Sequence, residues 1–252
     1  MISNQFKCIF VHVPKTAGQS VELFFLNLLQ LTWKQKDQLY IKKNSDPQCG
    51  PSRLAHLTAS EYVDCGHIDQ STFDSYFKFA FVRNPWERLV SEYLHKKIDR
   101  KMSLKEFVFN GLPVKNNFCD KYRHIIPQYN YLFDSQGKQL VDFIGRFENL
   151  QHDFDWVCQQ LNIAQSELPH RNSSFSPRRL LLRKLRHLFS SNNRIKKHYT
   201  EYYDNELHDY VAKMYEVDIA QFNYSFSNKD FITSTVNHNN ARLSDRILMQ
   251  DS

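Results

Sequence analysis

Glycine and proline are scarce, 6 and 8 in 252 residues, which excludes collagen-like and low-complexity classes. No apolar run approaches the roughly 18 residues that a spanning helix requires, so no membrane insertion is expected. The 5 cysteines, Cys8, Cys49, Cys65, Cys119 and Cys158, are widely spaced and form no C-x-x-C pair. Only Cys65-Gly66-His67 comes near the close ligand pair of a zinc site, and one such pair without a second predicts no metal. The opening stretch, Met1-Ile2-Ser3-Asn4-Gln5-Phe6-Lys7, lacks a basic segment, an apolar segment and a small-residue cleavage site. Reduced thiols and no leader predict a cytoplasmic protein. The Asn172-Ser173-Ser174 glycosylation pattern carries no weight in that setting.

Apolar residues are not lacking. A hydrophobic content of 41% with 14% aromatics predicts a sizeable core, as one large α/β domain or two small ones. Lys and Arg number 33 against 27 Asp and Glu, a formal charge of +6, and the excess is local. Between His170 and Thr200 lie nine basic residues and no acidic one. Without them 24 basic residues face 27 acidic ones, a net of −3. A mildly acidic body with one basic segment points to an anionic partner, or else to a solvated charged face.

Short β-branched and aromatic runs mark three strands: Lys7 to Val13, Phe77 to Val82 and Leu140 to Phe147. Each is followed by a helical pattern, at Val21 to Leu31, Pro85 to about Asp99 and Leu150 to Leu161. Asn84, Pro85 and Glu87 suit the cap, the first position and the capping box of the second helix. A late helix is expected over Arg194 to Tyr215, and a polar tail beyond Asn228. Lys42 to Pro47 reads as a loop. Strands alternating with helices predict an α/β fold with a central parallel sheet and helices on both faces.

Two turns carry the chemistry. A strand, tight loop and helix bring backbone N–H groups together on an anion, and the helix dipole favours it. The first loop is His12-Val13-Pro14-Lys15-Thr16-Ala17-Gly18-Gln19-Ser20. It is not a Walker A sequence, since Lys15 precedes its glycine. Taken alone, it serves equally as an ordinary turn or as an anion site. Arg83 ends the second strand, and ligands of open α/β sheets bind at the carboxyl ends of strands. Arg83 and Lys15 then face one crevice, and a guanidinium there grips phosphate bidentately.

At these residues the sequence resembles a family. IFVHVPKTAGQSVE is similar to the 5′-phosphosulfate loop of sulfotransferases that use PAPS, 3′-phosphoadenosine 5′-phosphosulfate. FAFVRNPWERLVSEY is similar to their 3′-phosphate motif. Order and spacing match the carbohydrate-type branch, with its uronosyl 2-O and chondroitin enzymes, and IGRFENLQHDF, LPHRNSSF and the late tyrosine-rich stretch extend the resemblance over most of residues 7 to 226. It implies a P-loop-NTPase-like sheet in a single domain over 1–226, with 227–252 as tail. It implies Lys15 as the catalytic lysine, a cradle of Thr16, Ala17, Gly18, Gln19 and Ser20, and 3′-phosphate contacts from Arg83 and Ser91. It implies a histidine between the motifs as base, here His67, with Glu92 and Glu61 as rivals. The substrates implied are PAPS and a carbohydrate or glycoconjugate hydroxyl. The branch usually carries a membrane anchor that this chain lacks, which leaves the acceptor open.

Other residues have plainer readings. Trp86 and Trp156 are expected to pack helices on the sheet, His12 to pack or orient the loop, and Arg88 and Glu92 to pair along a helix face. Arg146 and Phe147 are placed to touch adenine, and His170, Asn172 and Ser173 to close over the site. The basic segment 170–200 is expected to form an acceptor-side lid. Two rival functions stand beside the enzyme: nucleic-acid binding through that segment, which has too few aromatics for a stacking platform, and a P-loop kinase or GTPase, which lacks the Walker lysine position.

Overall fold

The computed structural model describes residues 1–169 and 197–226. Its centre is a four-stranded sheet in the order β1-β2-β3-β4, formed by β1 (Ile2–Ser3), β2 (Cys8–Val11), β3 (Phe77–Val82) and β4 (Phe143–Arg146). β2, β3 and β4 run parallel, with Val11 level with Ala80 and Val82 level with Arg146. The two-residue β1 adds an antiparallel edge. The expected parallel sheet is therefore present, with one short exception.

The strands read as continuous apolar runs because both faces are covered. Phe10, Phe79 and Phe81 lie on one face, under α1 (Gly18–Leu28) and under α8 (Leu150–Gln160) with its Phe154. Trp156 stacks on Phe143, as expected for a residue packing helix on sheet. Ile9, Val11, Ala80 and Val82 lie on the other face. Four short helices contribute to its cover: α2 (Glu61–Asp64), α3 (Gln70–Ser75), α7 (Tyr129–Leu132) and α10 (Glu216–Phe222). A further cluster joins α4 (Pro85–His95) to α5 (Leu104–Asn110) and α9 (Asn205–Met214). The helix α6 (Asp120–Arg123) completes the described set.

Several boundaries differ from expectation for local reasons. β2 stops short of Lys7, whose φ is 45°, and of Val13, whose N–H turns back onto Val11 O. α4 ends at His95 because Lys97 adopts a left-handed φ of 57°. The late helix starts at Asn205, where the Asp204 side chain accepts from Leu207 N–H and caps it; Tyr199–Tyr202 forms a separate 3-10 turn. Trp86 packs away from the sheet, stacked on His208 and edge-on to Phe226. His170, Asn172, Ser173, eight of the nine basic residues and the tail lie outside the described residues. Among the described residues no helix is long and apolar enough to cross a membrane.

Candidate active site

The carboxyl ends of β2, β3 and β4 carry the loop 12–17, Arg83 and Arg146 along one edge of the sheet. In the loop, Lys15 and Ala17 hold left-handed backbone, with φ of 74° and 65°. Non-glycine residues take this conformation at a cost of order 1–3 kcal/mol, and such positions concentrate at functional sites. Its effect is to turn successive N–H groups inward as a nest. The amides of Lys15, Thr16, Ala17, Gly18 and Gln19 find no acceptor among the described residues. Helix α1 starts there with no side-chain cap. Its N-terminus is thus left open to an anion.

The loop is propped from behind. Thr16 Oγ1 donates to Val13 O at 2.8 Å. The His12 ring lies where a Gly18 side chain would project, 2.1 Å from an ideal Cβ, so only glycine fits. Glu22, one turn into α1, accepts from His12 Nδ1 at 2.7 Å. His12 therefore orients the loop, as the strand pattern suggested.

Arg83 meets the loop directly, donating from Nη1 to Lys15 O at 3.2 Å. Its guanidinium lies 3.9 Å over the Phe147 ring and pairs with Glu87 through Nη2. Its Nε is buried and has no partner among the described residues. A buried donor left unmade costs about 1–3 kcal/mol. The backbone of Arg83 is pinned on both sides by Gln128, N–H to Oε1 at 2.9 Å and Nε2 to O at 2.8 Å. Lys15 Nζ forms no hydrogen bond or ion pair among the described residues. Burial pushes its ammonium down to about 8; Glu92 opposes the fall, while Arg83 and Lys96 add to it.

Beside the loop stand three buried imidazoles, each paired with a carboxylate. His12 meets Glu22, His56 Nδ1 meets Asp120 at 2.7 Å, and His124 Nδ1 meets Glu92 at 2.8 Å. The rings touch edge to face, His12 to His56 at 5.1 Å and His56 to His124 at 4.9 Å. Burial pushes His56 down to about 4, against the pull of Asp120, so it is neutral near pH 7. Asp120 is half-buried, yet His56, His124 and Arg53 hold its carboxyl well below the usual range. Glu92 likewise stays ionised despite burial, through His124, Lys96 and Lys15. His56, Asp120 and His124 have potential ligand atoms within 4.8 Å of one another. Arg53 Nε, 3.6 Å from Asp120, already supplies a cation there.

The expected donor-side residues assemble at one place: Lys15, Thr16, Ala17 and Gly18 in the nest, Gln19 exposed and Ser20 half-buried behind it, Arg83 across from them. Ser91 lies half-buried two turns along α4. His67 stands elsewhere, with Nδ1 on Tyr40 Oη at 2.9 Å and Nε2 on Cys49 O at 2.8 Å. Glu61 is committed to Arg123. The expected Arg88–Glu92 pair does not form: Arg88 is buried and donates to the carbonyls of His124 and Ile126. Arg146 donates to Phe222 O and sits 4.8 Å over Tyr224, while Phe147 carries Arg83.

No solved structure matches the chain. An uncharacterized protein of Archaeoglobus fulgidus is 35% identical over 102 residues, which is 39% of this chain and 78% of that protein. The model of the Sulfotransferase family matches residues 1–225. With that match and a lysine-bearing anion nest at its centre, the chain belongs to the sulfotransferase family.

Proposed function

We propose that the protein transfers a sulfuryl group from PAPS to a hydroxyl of a carbohydrate or glycoconjugate. The observation that carries this reading is the open nest of Lys15 to Gln19 facing Arg83. Two anion grips on one edge, one with free N–H groups and one with an unpartnered guanidinium Nε, suit a nucleotide phosphorylated at two positions.

When bound, PAPS supplies an activated sulfuryl group whose bond to the bridging phosphate oxygen breaks as the acceptor oxygen bonds to sulfur. The N–H groups of the nest hold the 5′ end, and Arg83 and Ser91 hold the 3′-phosphate. Lys15 stabilises the negative charge that develops on the leaving oxygen. Transfer of this type is mainly positioning and charge stabilisation.

The hydroxyl proton needs a base beside this cradle. His67 has both ring nitrogens engaged, while Glu92 and Glu61 are held as partners by His124 and Arg123. We place the base at His56. Its neutral imidazole spends Nδ1 on Asp120 and makes no hydrogen bond through Nε2 among the described residues. It reaches the loop through His12, and Lys15 through His124 and Glu92.

Lys15→Ala is expected to lower kcat by about 100- to 1,000-fold in a labelled-PAPS assay. Calorimetry with adenosine 3′,5′-bisphosphate should still show binding to the variant. A wild-type protein that binds neither nucleotide at micromolar concentration sinks the reading.

A further inference from the structure

Two features of the histidine cluster have no role yet. Asp120 holds His56 through Oδ1, and its second oxygen, Oδ2, faces Arg53 Nε at 3.6 Å and His124 Nε2 at 3.8 Å. His124 Nε2 is buried and has no hydrogen-bond partner among the described residues. A carboxylate offers only acceptors, so each imidazole must present Nδ1–H to its acid. For the neutral imidazole of His56 that fixes the tautomer: its Nε2 carries the lone pair. His124 Nε2 lies 3.8 Å from Asp120 Oδ2, beyond hydrogen-bond reach.

We propose that Asp120 is a positioning residue for His56: it holds the imidazole in the Nδ1–H tautomer, aims Nε2 at the acceptor, and stabilises the imidazolium formed when the hydroxyl proton arrives. This inference rests on the sulfuryl-transfer reading above. In the step, the acceptor oxygen bonds to sulfur and its proton passes to His56 Nε2. The electron pair of the broken sulfur–oxygen bond leaves on the phosphate oxygen beside Lys15. Asp120 takes no proton; it pairs with the new cation. His124 stands on the far side of Asp120 and is fixed by Glu92 at 2.8 Å on α4. The row Glu92, His124, Asp120, His56 thus runs from the helix that follows Arg83 to the base. The charged and titratable groups facing His56 are Asp120 and His124 from α6 and the residue after it, Arg123 of α6, which donates to His56 O, His12 from the end of β2 with its partner Glu22, and Arg53 from its own segment. Without a carboxylate at 120, Glu22 and Glu92 stay committed to His12 and His124, so an imidazolium at 56 loses the counter-charge bonded to it.

The test is Asp120→Asn in the full chain. The amide can turn its NH2 toward Nδ1 and so favour the opposite tautomer. We expect kcat in the labelled-PAPS assay to fall by about 100- to 10,000-fold. The donor KM and the affinity for adenosine 3′,5′-bisphosphate should stay within about threefold, since Asp120 does not line the nest; a merely structural role would move all three together. Long-range 1H–15N correlation should show His56 of the wild type as the Nδ1–H tautomer, and a shift toward Nε2–H in the variant. A variant kcat within threefold of wild type overturns the inference. So does an Nε2–H tautomer in the wild type, a measurement that needs neither turnover nor a folded variant. A wild type that binds no bisphosphate defeats the sulfuryl-transfer reading instead, and the tautomer then still decides the His56–Asp120 pair.

Discussion

The molecule builds the same unit twice and finishes it in opposite ways. β2 runs into α1, and β3 runs into α4, as neighbouring parallel strands with helices of 11 residues each. At α4 the helix end is closed. Asn84 Oδ1 accepts from Trp86 and Glu87 N–H at 3.2 and 3.4 Å, Pro85 removes one donor, and Glu148 accepts from Asn84 N–H at 2.7 Å. At α1 nothing among the described residues closes it, and the left-handed Lys15 and Ala17 leave five amides open. Both ends satisfy the same rule, that the first N–H groups of a helix need partners. One obtains them from its own side chains and so presents only Arg83. The other leaves them open. Capping chemistry therefore separates the turn that we propose holds the ligand from the one that positions a guanidinium.

The largest break in that contrast is Lys15→Ala, with the loss of rate stated above. Next comes Gly18→Ala. Its Cβ would fall 2.1 Å from the His12 ring, so the ring or the loop must give way. Overpacking of this kind typically costs about 1–3 kcal/mol, and the displacement spreads to the His12–Glu22 pair that steadies α1. We expect bisphosphate affinity to drop by about tenfold or more by calorimetry, with a lower melting temperature. Unchanged affinity would mean that His12 does not set the shape of the nest.

A pH profile sharpens the contrast between the nest and the base beside it. In the proposed mechanism Lys15 works as an ammonium, which burial pushes down to about 8, so kcat/KM should decline as pH rises through 8. His56 is proposed to work as a neutral base, pushed down by burial to about 4, so kcat/KM should decline as pH falls through 4. The plateau between should be broad, with about tenfold loss per unit outside it. Lys15→Arg tests the assignment, because a guanidinium does not titrate in this range. Any activity that variant retains should lack the alkaline limb. Stability follows the same groups. His56 is lowered in the fold, so protonating it is unfavourable there, and stability should fall as pH drops from about 6.5 toward 4.

Both units were legible from apolar runs, and the Asn84-Pro85 pair marked the start of α4 correctly. The placement of Lys15, Gly18 and Arg83 together was legible because it depends on position along the chain, at the end of a strand or the start of a helix. The histidine cluster was not. His56 sits in a three-residue 3-10 turn, Asp120 and His124 in and beside a four-residue helix, in polar sequence without periodicity. They meet only through tertiary packing, across 64 residues for the His56–Asp120 bond. The resemblance pointed to His67 because it lies between the two motifs, and sequence spacing cannot tell one such histidine from another. Arg88 and Glu92 show the same limit. Their spacing of four residues suits a helix-face pair worth a few tenths of a kcal/mol. Buried carbonyls at His124 and Ile126 and the buried His124 ring offer each a stronger partner. One signal was available: Gly18 directly after Thr16-Ala17 marks a close approach that His12 turned out to supply.

The smallest break is Asn84→Ala, and it asks whether the closed end is only structural. The substitution removes the cap on α4 together with the Nδ2 donation to Ser225 O at 3.0 Å. It leaves the Arg83 backbone held by Gln128 and the Asn84 amide held by Glu148. Losing an N-cap side chain costs about 1 kcal/mol. In a chain of this size that should lower the melting temperature by about 2–4 °C. Since no free amide of the nest is touched, bisphosphate affinity should change less than threefold by calorimetry. A loss of affinity comparable to that of Gly18→Ala would show that the cap also sets the aim of Arg83. The two helix ends would then be one binding device rather than a ligand site and its support.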